Sequence, residues 1–334
     1  MLFRSLNGFR NFTPLEVEFG DRVNILYGDN GSGKTNLIEA IFVLCLGRSH
    51  RGVADAIMVQ EGRDTYRTEG VIRQNGETSE SAVAYQVGGR KKITVDHVPI
   101  RVADLYERYS AVSAGPEDTD LLAGGPAGRR TFLDIYLSQF SPQYLSLLVD
   151  YNRALAQKNA ALRNGSAPEA FGDLLVPIGA SITAARARFL ERLGPLAVGH
   201  YERIASGGRF SLAYKASSAA LTEAADVADI REQYTRKMAS YAERERIMQV
   251  SLVGPHRDDI GFEINGYPAR THASQGELRT AAICLKLGVY QLLTEQREAR
   301  PLLLLDEIFA ELDDKRIAAL IEALAGFEQS FLTT

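Results

Sequence analysis

The chain of 334 residues has little cysteine and no long apolar run. Its two cysteines, Cys45 and Cys284, both fall on apolar helical faces, so we expect no disulfide framework and a cytoplasmic protein. No stretch approaches the roughly 18–20 apolar residues of a membrane span. The first residues also lack the apolar run of a secretory signal. The sequence therefore predicts no membrane partner.

Basic residues do not outnumber acidic ones either. The chain has 38 Lys and Arg against 42 Asp and Glu, a formal net charge of −4. This balance excludes a uniformly basic coat, so any nucleic-acid site must be a local patch. Each candidate basic group is more often a solvated face than a phosphate contact. The candidates are Arg48, Arg51, residues 89–92, Arg129, Arg130, Arg186, Arg188 and Arg192.

What the chain does contain is a phosphate-binding loop that matches G-x-x-x-x-G-K-[ST]. Residues 23–27 before the loop predict a short buried strand, and residues 35–46 after it place apolar side chains at helical spacing. A strand, a glycine loop and a helix N-terminus aim backbone N–H groups at a polyphosphate, so we expect ATP to bind here. The predicted binding residues are Gly28, Asp29, Asn30, Gly31, Ser32, Gly33, Lys34, Thr35 and Asn36. Lys34 is expected to reach the β- and γ-phosphates, and the Thr35 hydroxyl to hold Mg²⁺.

A second motif, the acidic pair Asp306 and Glu307, follows a run of four leucines at 302–305. Four consecutive leucines suit a parallel strand that is covered on both faces. Asp306 at the end of this strand can hold Mg²⁺, and Glu307 can orient and deprotonate an attacking water. Acidic residues after a buried strand also occur as solvated turns. The phosphate loop favours the catalytic interpretation.

The segment from Ser274 to Glu277 is the motif that distinguishes an ABC-type ATPase from other P-loop proteins. Ser274 as N-cap and Glu277 three positions later form a capping box, which is a sufficient structural explanation for these two residues alone. The segment also resembles the ABC signature S-x-G-[EQ], whose serine faces the γ-phosphate held by a second subunit. Residues 310–313 resemble the D-loop of the same ATPases. The resemblance implies an ATP-dependent homodimer with nucleotides between the two copies.

The order of these motifs predicts an α/β fold with an inserted helical part. Residues 64–100 predict an antiparallel meander, with turns at 75–76 and 88–89. Two long apolar stripes, at 142–163 and 177–197, predict helices, and strands return at 250–253 and 260–264. We therefore predict lobe I of an ABC-type P-loop ATPase head, a mixed sheet with an antiparallel β-subdomain, and an inserted α-helical lobe II. The predicted bounds are 1–115, 116–250 and 251–334, with lobe II in the middle.

Within the ABC and SMC-like ATPases, the chain resembles the RecF family of bacterial recombination and repair proteins. Residues 7–12 are similar to the family's N-F-R-N-[YF], and residues 28–41 to its G-x-N-G-x-G-K-T-N-L-[LI]-E-A-I. The resemblance runs from residue 2 to residue 334. Its further blocks are 116–118, 125–134, 151–155, 158–162, 254–259 and 273–280. One departure is that residues 112–118, where ABC ATPases carry a Q-loop glutamine, contain none.

This resemblance implies a slow ATPase that dimerises on ATP and binds DNA without sequence preference. It implies duplex, single-stranded and junction DNA as ligands, RecR and RecO as partners, and RecA loading at gaps and stalled forks in support of replication and the SOS response. It also places Arg10 and Asn11 near the nucleotide, although an exposed strand-end pair is an equal alternative. No role for His256 or Arg257 follows from the sequence, and an ion pair of Arg257 with a neighbouring aspartate is equally possible.

Three rival functions share part of this evidence. The main alternative is the ATPase subunit of a transporter, which shares the four motifs but not the meander joined to this helical insertion. A small-molecule P-loop kinase has no use for the segment at 274–276. A structural SMC-like protein without turnover differs only in lacking hydrolysis.

Overall fold

The computed structural model describes residues 2–12, 14–74, 76–166, 168–205, 207–218, 220, 226–297 and 300–334. Its strands are β1 (Leu2–Asn7), β2 (Leu15–Glu18), β3 (Val23–Leu26), β4 (Thr65–Gln74), β5 (Glu77–Gln86), β6 (Lys92–Val95), β7 (Val98–Pro99), β8 (Ala111–Ala114), β9 (Phe210–Lys215), β10 (Asp259–Ile264), β11 (Tyr267–Pro268), β12 (Leu302–Leu305) and β13 (Ser330–Thr333). Its helices are α1 (Lys34–Leu46), α2 (Asp55–Met58), α3 (Val102–Arg108), α4 (Thr119–Ala123), α5 (Pro126–Phe140), α6 (Pro142–Arg163), α7 (Gly172–Ile204), α8 (Val227–Met248), α9 (Ala269–His272), α10 (Gln275–Gln296) and α11 (Asp314–Leu324).

The chain divides into two compact units. Unit 1 comprises Met1–Thr119, Leu196–Gly208 and Ser274–Thr334. Unit 2 comprises Asp120–Pro195 and Arg209–Ala273. The predicted lobe bounds assign 251–273 to the ATP-binding lobe and 196–208 to lobe II, whereas these units place 251–273 with the insertion and 196–208 in unit 1. The interrupted arrangement, with both ends of the chain in one unit, is the predicted one.

Unit 1 contains two sheets. The four-stranded sheet has the order β3-β13-β12-β8, and all its pairs are parallel. The six-stranded sheet is antiparallel and has the order β2-β1-β4-β5-β6-β7, which is the predicted three-stranded meander with three added strands, β1, β2 and β7. The predicted turn at Asn75 lies outside the described residues. Parallel strands end at a common edge, so the loops after β3 and β12 share one edge of the smaller sheet.

Helix α1 explains how the two sheets of unit 1 share one core. It contacts β4 and β5 of the larger sheet and β8, β12 and β13 of the smaller one. Every residue from Leu37 to Leu46 is buried, Glu39 included. A helix that is apolar on all sides is buried rather than amphipathic, and this burial fixes the start of the helix at the phosphate loop.

Unit 2 packs helices α5, α6, α8 and most of α7 with a small antiparallel sheet of order β11-β10-β9. The hairpin between β10 and β11 has Asn265 and Gly266 at φ 55° and 81°, the positive values that a two-residue hairpin turn requires. Strand β9 was not predicted. No helix in the described parts of the chain meets the length and apolarity that crossing a bilayer requires.

Two sequence predictions about strands are wrong. Residues 250–253 form an irregular segment, because the Ser251 amide donates to Asn159 and the Leu252 amide to Glu245 instead of joining a ladder. Strand β3 is not fully buried, since Val23 and Ile25 are 55% and 59% exposed. In the described residues, β3 pairs along one side only, with β13, which makes it an edge strand.

Candidate functional site

Gly33 at the end of the phosphate loop lies against the side chain of Asn11. Gly33 has φ 103°, and an added Cβ would lie 2.8 and 2.9 Å from the side-chain amide atoms of Asn11, so only glycine fits there. Helix α1 starts directly afterwards. The Lys34 ammonium donates to the carbonyl oxygens of Gly28 at 2.7 Å and Asp29 at 3.1 Å. This lysine thus lies over the loop in which a phosphate would sit.

The end of β12 brings the second half of the site to the loop. The Thr35 hydroxyl donates to Asp306 Oδ1 at 3.0 Å, and the Thr333 hydroxyl donates to the same oxygen at 2.7 Å. The Glu307 amide donates to the Thr333 hydroxyl at 2.7 Å. Asp306 is 3% exposed, so its carboxylate is held in one orientation. Thr35 and Asp306, the two residues predicted to hold Mg²⁺, are thus hydrogen-bonded to each other, and Thr333 is a supporting residue that sequence reasoning missed.

The donor set at this point suits a magnesium ion. Within the described residues, no three His, Cys, Asp or Glu side chains come together as a metal cage. Mg²⁺ is usually held by one or two protein oxygens together with phosphate oxygens and water. The Thr35 hydroxyl and the Asp306 carboxylate provide two such oxygens next to the phosphate loop.

Glu307 faces the loop from an unusual backbone conformation. A cavity of about 170 Å³ is lined by Asn30, Gly31, Gly33, Lys34, Thr35, Asn36 and Glu307. Glu307 is exposed and has φ 44°, in the left-handed region that non-glycine residues seldom adopt. The buried Arg279 side chain of α10 donates to the Glu307 carbonyl oxygen and lies 3.9 Å from the Glu311 carboxylate. Arg279 therefore holds the backbone that aims the Glu307 carboxylate.

Arg10 and Asn11 lie beside the loop in different ways. Asn11 Oδ1 accepts a hydrogen bond from Asn36 at 2.8 Å, next to Gly33. Arg10 instead makes a two-point ion pair with Glu39, at 2.7 and 2.9 Å, and is not an exposed strand-end residue. Burial raises the pKa of Glu39, but hydrogen bonds from Arg10 and Ser49 outweigh it and bring this pKa below its usual value. Arg10 does not line the 170 Å³ cavity.

The segment without a Q-loop glutamine places a carboxylate close to Asp306. An added Cβ on Gly115 would lie 3.5 Å from both Asp306 Cβ and Glu117 Oε2. Burial, with the neighbouring charges of Asp118 and Asp306, raises the pKa of Glu117. Lys286 of α10 donates to the Ser113 carbonyl at 2.8 Å and pairs with Asp118 at 2.8 Å. Helix α10 thus supports the segments after β8 and β12 together.

The predicted signature forms the N-terminus of α10. Ser274 is the N-cap and accepts a hydrogen bond from the Glu277 amide, while Glu277 accepts from the Ser274 amide at 2.9 Å and its hydroxyl at 2.8 Å. Ser274 and Gln275 are exposed. An added Cβ on Gly276 would lie 3.0 Å from the Arg316 guanidinium. The capping box is present, and Ser274 does not line the 170 Å³ cavity of its own chain.

Several basic residues considered as DNA contacts are engaged within the protein. Arg129 pairs with Asp259 and Arg186 with Asp134, and the two arginine side chains are 6% and 2% exposed. These two side chains are therefore neither the solvated face that the sequence favours nor accessible candidates for a phosphate contact. Arg257, for which the sequence leaves an ion pair with Asp258 or Asp259 as an open alternative, donates to the Ser251 carbonyl and forms no such pair among the described residues.

The parallel sheet with its phosphate loop, the acidic strand end and the capped signature helix define an ABC-type ATPase head. Residues 4–334 match the model of the family described as the RecF/RecN/SMC N terminal domain. The chain is 40% identical over 334 residues to the DNA replication and repair protein RecF of Symbiobacterium thermophilum (strain DSM 24528 / JCM 14929 / IAM 14863 / T), covering 98% of this chain and 89% of the relative. It belongs to the RecF family.

Solved structures agree with this assignment. The structure of the recombination mediator protein RecF-ATP in the RecFOR pathway is 32% identical, with a TM-score of 0.92, and covers 99% of this chain and 90% of that chain. The RecF-ATPrS structure from the same pathway is also 32% identical, with a TM-score of 0.89, and covers 99% and 91%. The sequence-based assignment to RecF and the ABC-type fold are therefore confirmed. A transporter subunit is not favoured by these relatives.

Proposed function

We propose that this chain is a DNA-binding ATPase of recombinational repair that closes into a homodimer around two ATP molecules. The observation that carries the proposal is the separation of two halves of a nucleotide site. The loop, Asp306 and Glu307 converge within the chain, whereas Ser274 caps an exposed helix N-terminus that does not line the same cavity. A helix N-terminus with free N–H groups is suited to an anion. A second copy can bring that anion as a γ-phosphate.

Each site residue then has a role in the proposed reaction. The loop from Gly28 to Asn36 cradles the phosphates, with Lys34 donating to the β- and γ-oxygens. Thr35 and Asp306 hold Mg²⁺, which, when bound, neutralises charge on the phosphates. Glu307 accepts a proton from the attacking water, and Ser274 donates to the γ-phosphate of the partner's nucleotide. Slow turnover follows because the site is complete only in the dimer.

The partners proposed from the family are DNA and the RecF pathway proteins. The relatives' names refer to DNA replication and repair, and those of the solved structures to the RecFOR pathway. We propose binding to duplex, single-stranded and junction DNA without sequence preference, since no base-reading motif is apparent. RecR and RecO are the proposed protein partners, and loading of RecA at gaps and stalled forks is the proposed outcome.

The dimer model is tested by size-exclusion chromatography with and without ATP and Mg²⁺. Lys34→Ala removes the phosphate ligand and is expected to abolish nucleotide binding and dimerisation. Glu307→Gln keeps the phosphate ligands but removes the proton acceptor, so it is expected to accumulate as an ATP-bound dimer. Ser274→Arg is expected to bind ATP as a monomer with the affinity of the wild type.

Three outcomes would contradict this model. A Glu307→Gln protein that stays monomeric in saturating ATP excludes the two-copy site. Loss of ATP affinity in the Ser274→Arg monomer places that serine at its own chain's nucleotide. ATP hydrolysis that is independent of protein concentration, down to dilutions at which only monomer is present, shows that one chain is sufficient. A control is Ser240→Arg, which adds the same charge at a helical position in unit 2.

A further inference from the structure

Three of the sequence segments that resemble the RecF family have no role in the nucleotide site, and residues from all three line one cavity in unit 2. The segments are 125–134, 151–155 and 254–259. The cavity has a volume of about 250 Å³, and its lining includes Arg130, Thr131, Asn152 and His256. Every lining residue belongs to unit 2. This convergence indicates a second site, separate from the phosphate loop.

The cavity descends from the surface into the packed interior of unit 2. Asn152 at its rim is exposed, whereas Tyr151 and Arg186 in its lining are 1% and 2% exposed. Its wall also includes the apolar side chains of Leu148 and Ile182. A recess of this kind admits a protruding group that has an apolar stem and a polar tip.

The acidic groups around the cavity already have partners. Asp134 accepts from Arg186 at 2.7 Å and from Tyr144 at 2.6 Å. Asp259 accepts two hydrogen bonds from Arg129, at 2.5 and 3.1 Å. Both arginines are therefore neutralised within the protein.

Asp258 is also fully engaged. Its carboxylate is 0% exposed, accepts from the Ser217 amide at 2.6 Å and from the Tyr214 hydroxyl, and lies 3.7 Å from Arg186. Its backbone carbonyl accepts from Arg130 at 3.0 Å. The carboxylate itself forms no ion pair with Arg130 in the part of the chain that the structure describes.

Arg130 forms no direct ion pair with a carboxylate in the described parts of the chain, although Asp134, Asp258 and Asp259 lie near enough to act on its charge. Its one hydrogen bond to a described residue is the one to that carbonyl. Burial and the nearby charge of Arg186 lower the pKa of Arg130, and the charges of Asp259, Asp134 and Asp258 offset only part of this effect. A half-buried guanidinium that makes one hydrogen bond to a described residue has N–H groups left to bind a further acceptor.

Further donors lie beside this guanidinium. Thr131 and Asn152 make no side-chain hydrogen bond to another described residue, and both line the cavity. His256 adds none, because its Nε2 lies 3.1 Å from the Ser251 carbonyl and its Nδ1 lies 2.7 Å from the Tyr151 hydroxyl. The free groups are therefore a guanidinium fork, a hydroxyl and an amide, which suit a planar carboxylate.

We propose that this cavity is a docking site for an acidic side chain of a protein partner, with Arg130 as its principal ligand. The apolar wall accommodates the methylenes of a glutamate, and the guanidinium pairs with its carboxylate. A DNA phosphate fits less well, because it is bonded to a sugar on both sides and cannot enter a recess as a tip. The site is independent of ATP and of the proposed dimer.

The test is an NMR titration of the full chain with a capped tetraglutamate peptide. The arginine Nε–Hε resonance of Arg130 is assigned by its loss in Arg130→Gln. We expect this resonance to shift saturably with tetraglutamate and not with capped tetraglutamine. Removing a charge-assisted hydrogen bond should weaken peptide binding by about tenfold or more in Arg130→Gln. Arg188→Gln, at an exposed arginine of the same unit, is the matched control and is expected to bind like the wild type.

Other outcomes overturn the proposal. An equal shift with inorganic phosphate makes the cavity a small-anion site, and a shift with a duplex oligonucleotide makes it a nucleic-acid contact. Equal weakening by Arg188→Gln means that binding follows overall charge. A thermal unfolding midpoint that falls steeply in Arg130→Gln assigns this residue to the fold, since the variant loses no more than the one hydrogen bond to the Asp258 carbonyl.

Discussion

At the scale of single residues, the backbone at Gly254 is fixed by side chains distant in the sequence. Its φ is 133°, and an added Cβ would lie 2.2 Å from the hydroxyl oxygens of Tyr151 and Tyr234. The sequence segment that contains this glycine resembles the RecF family, but the sequence does not show why glycine is required at this position. The reason is two buried tyrosines that lie far from the glycine along the chain.

Gly254→Ala is therefore expected to lower the free energy of unfolding by about 3 kcal/mol or more, through the clash and the left-handed backbone together. Gly266→Ala is the control, because that glycine also has a positive φ, 81°, but nothing lies within 4 Å of the added Cβ. It should cost only about 1–2 kcal/mol. Urea unfolding of both variants measures the difference. Equal losses would show that the backbone, and not the tyrosine contact, sets the requirement.

Arg279 is a positioning residue for Glu307, because its guanidinium donates a hydrogen bond to the Glu307 backbone carbonyl. Arg279→Met is expected to lower kcat by about ten- to a hundredfold, since a displaced catalytic group loses much of its effect. The Kd for ATP should be nearly unchanged, because the loop and Lys34 are intact. Arg300→Met, at a half-exposed arginine paired with Glu328, is the control in the same unit.

The two measurements separate positioning from folding. If Arg279→Met weakens ATP binding as much as it slows hydrolysis, its role is to stabilise unit 1 as a whole. Arg279→Lys keeps a charge but not the planar donor geometry, so it should recover only part of kcat. Full recovery with lysine would mean that charge near Glu311 is sufficient.

At the scale of elements, α6 and α8 are joined by a buried ion pair. Lys158 donates to Glu245 at 2.6 Å, and both side chains are 3% exposed. Glu245 also accepts from Ser251 and from the Leu252 amide, so it fixes the irregular segment after α8. The two helices and that segment are therefore one hydrogen-bonded assembly.

Lys158→Met is expected to cost about 3–5 kcal/mol of unfolding free energy, because it leaves the Glu245 carboxylate buried without a cation. Adding Glu245→Gln should restore much of this loss, since the amide oxygen still accepts from Ser251 and Leu252 without a charge. Chemical denaturation of the wild type, the two single variants and the double variant gives the coupling free energy between Lys158 and Glu245. Additive losses would show that the pair is not the source of the cost.

Helix α6 shows where sequence periodicity gives the correct element but only part of the buried face. The stripe that predicted the helix runs through Leu145, Leu148, Asn152, Leu155, Asn159 and Leu162, of which Leu162 is buried and Asn152 is exposed. The buried side chains are Tyr144, Tyr151, Ala154, Lys158 and Leu162. Tyrosines with hydrogen-bonded hydroxyls and a paired lysine are buried here, and hydrophobicity alone cannot anticipate polar partners supplied by other elements.

At the scale of the whole molecule, three buried histidines tie stability to pH. Burial lowers the pKa values of His50, His200 and His256 to about 4 each. An unfolded histidine titrates near pH 6.5, so the unfolded chain binds more protons between pH 4 and 6.5. Stability is therefore complete above about pH 6.5 and is lost as the pH falls toward 4.

The thermal unfolding midpoint should accordingly fall steeply between pH 6.5 and pH 4.5. His256→Gln is expected to flatten this dependence even if it lowers the midpoint at pH 7, because one titrating group is gone. Scans at half-unit pH intervals check this. An unchanged slope in the variant would show that His256 does not contribute to the loss of stability in this window; carboxylates with a lowered pKa, such as Glu39, act in a more acidic range.

Across the molecule, local patterns predicted the loop, the acidic strand end, the capped helix and most strands, because each is encoded by adjacent residues. The features that were missed depend on residues distant in the sequence. Thr333 donates to Asp306, and Arg279 donates to the Glu307 carbonyl. Arg129 and Arg186 are buried because they pair with carboxylates of other elements. A buried arginine and an exposed one look the same in sequence, since the difference is the carboxylate that another element supplies. The proposed roles of the site residues remain predictions that the variants above test.

Strand β13 lies between β3 and β12, and its Thr333 hydroxyl orders both Asp306 and the Glu307 amide. The loop at residues 28–36 is thus synthesised almost three hundred residues before the strand that joins it to its catalytic partners. A growing chain on the ribosome carries the loop long before it can form the site. We expect nascent chains that stop short of residue 330 to be unable to retain ATP, which would keep unfinished copies from pairing with finished ones.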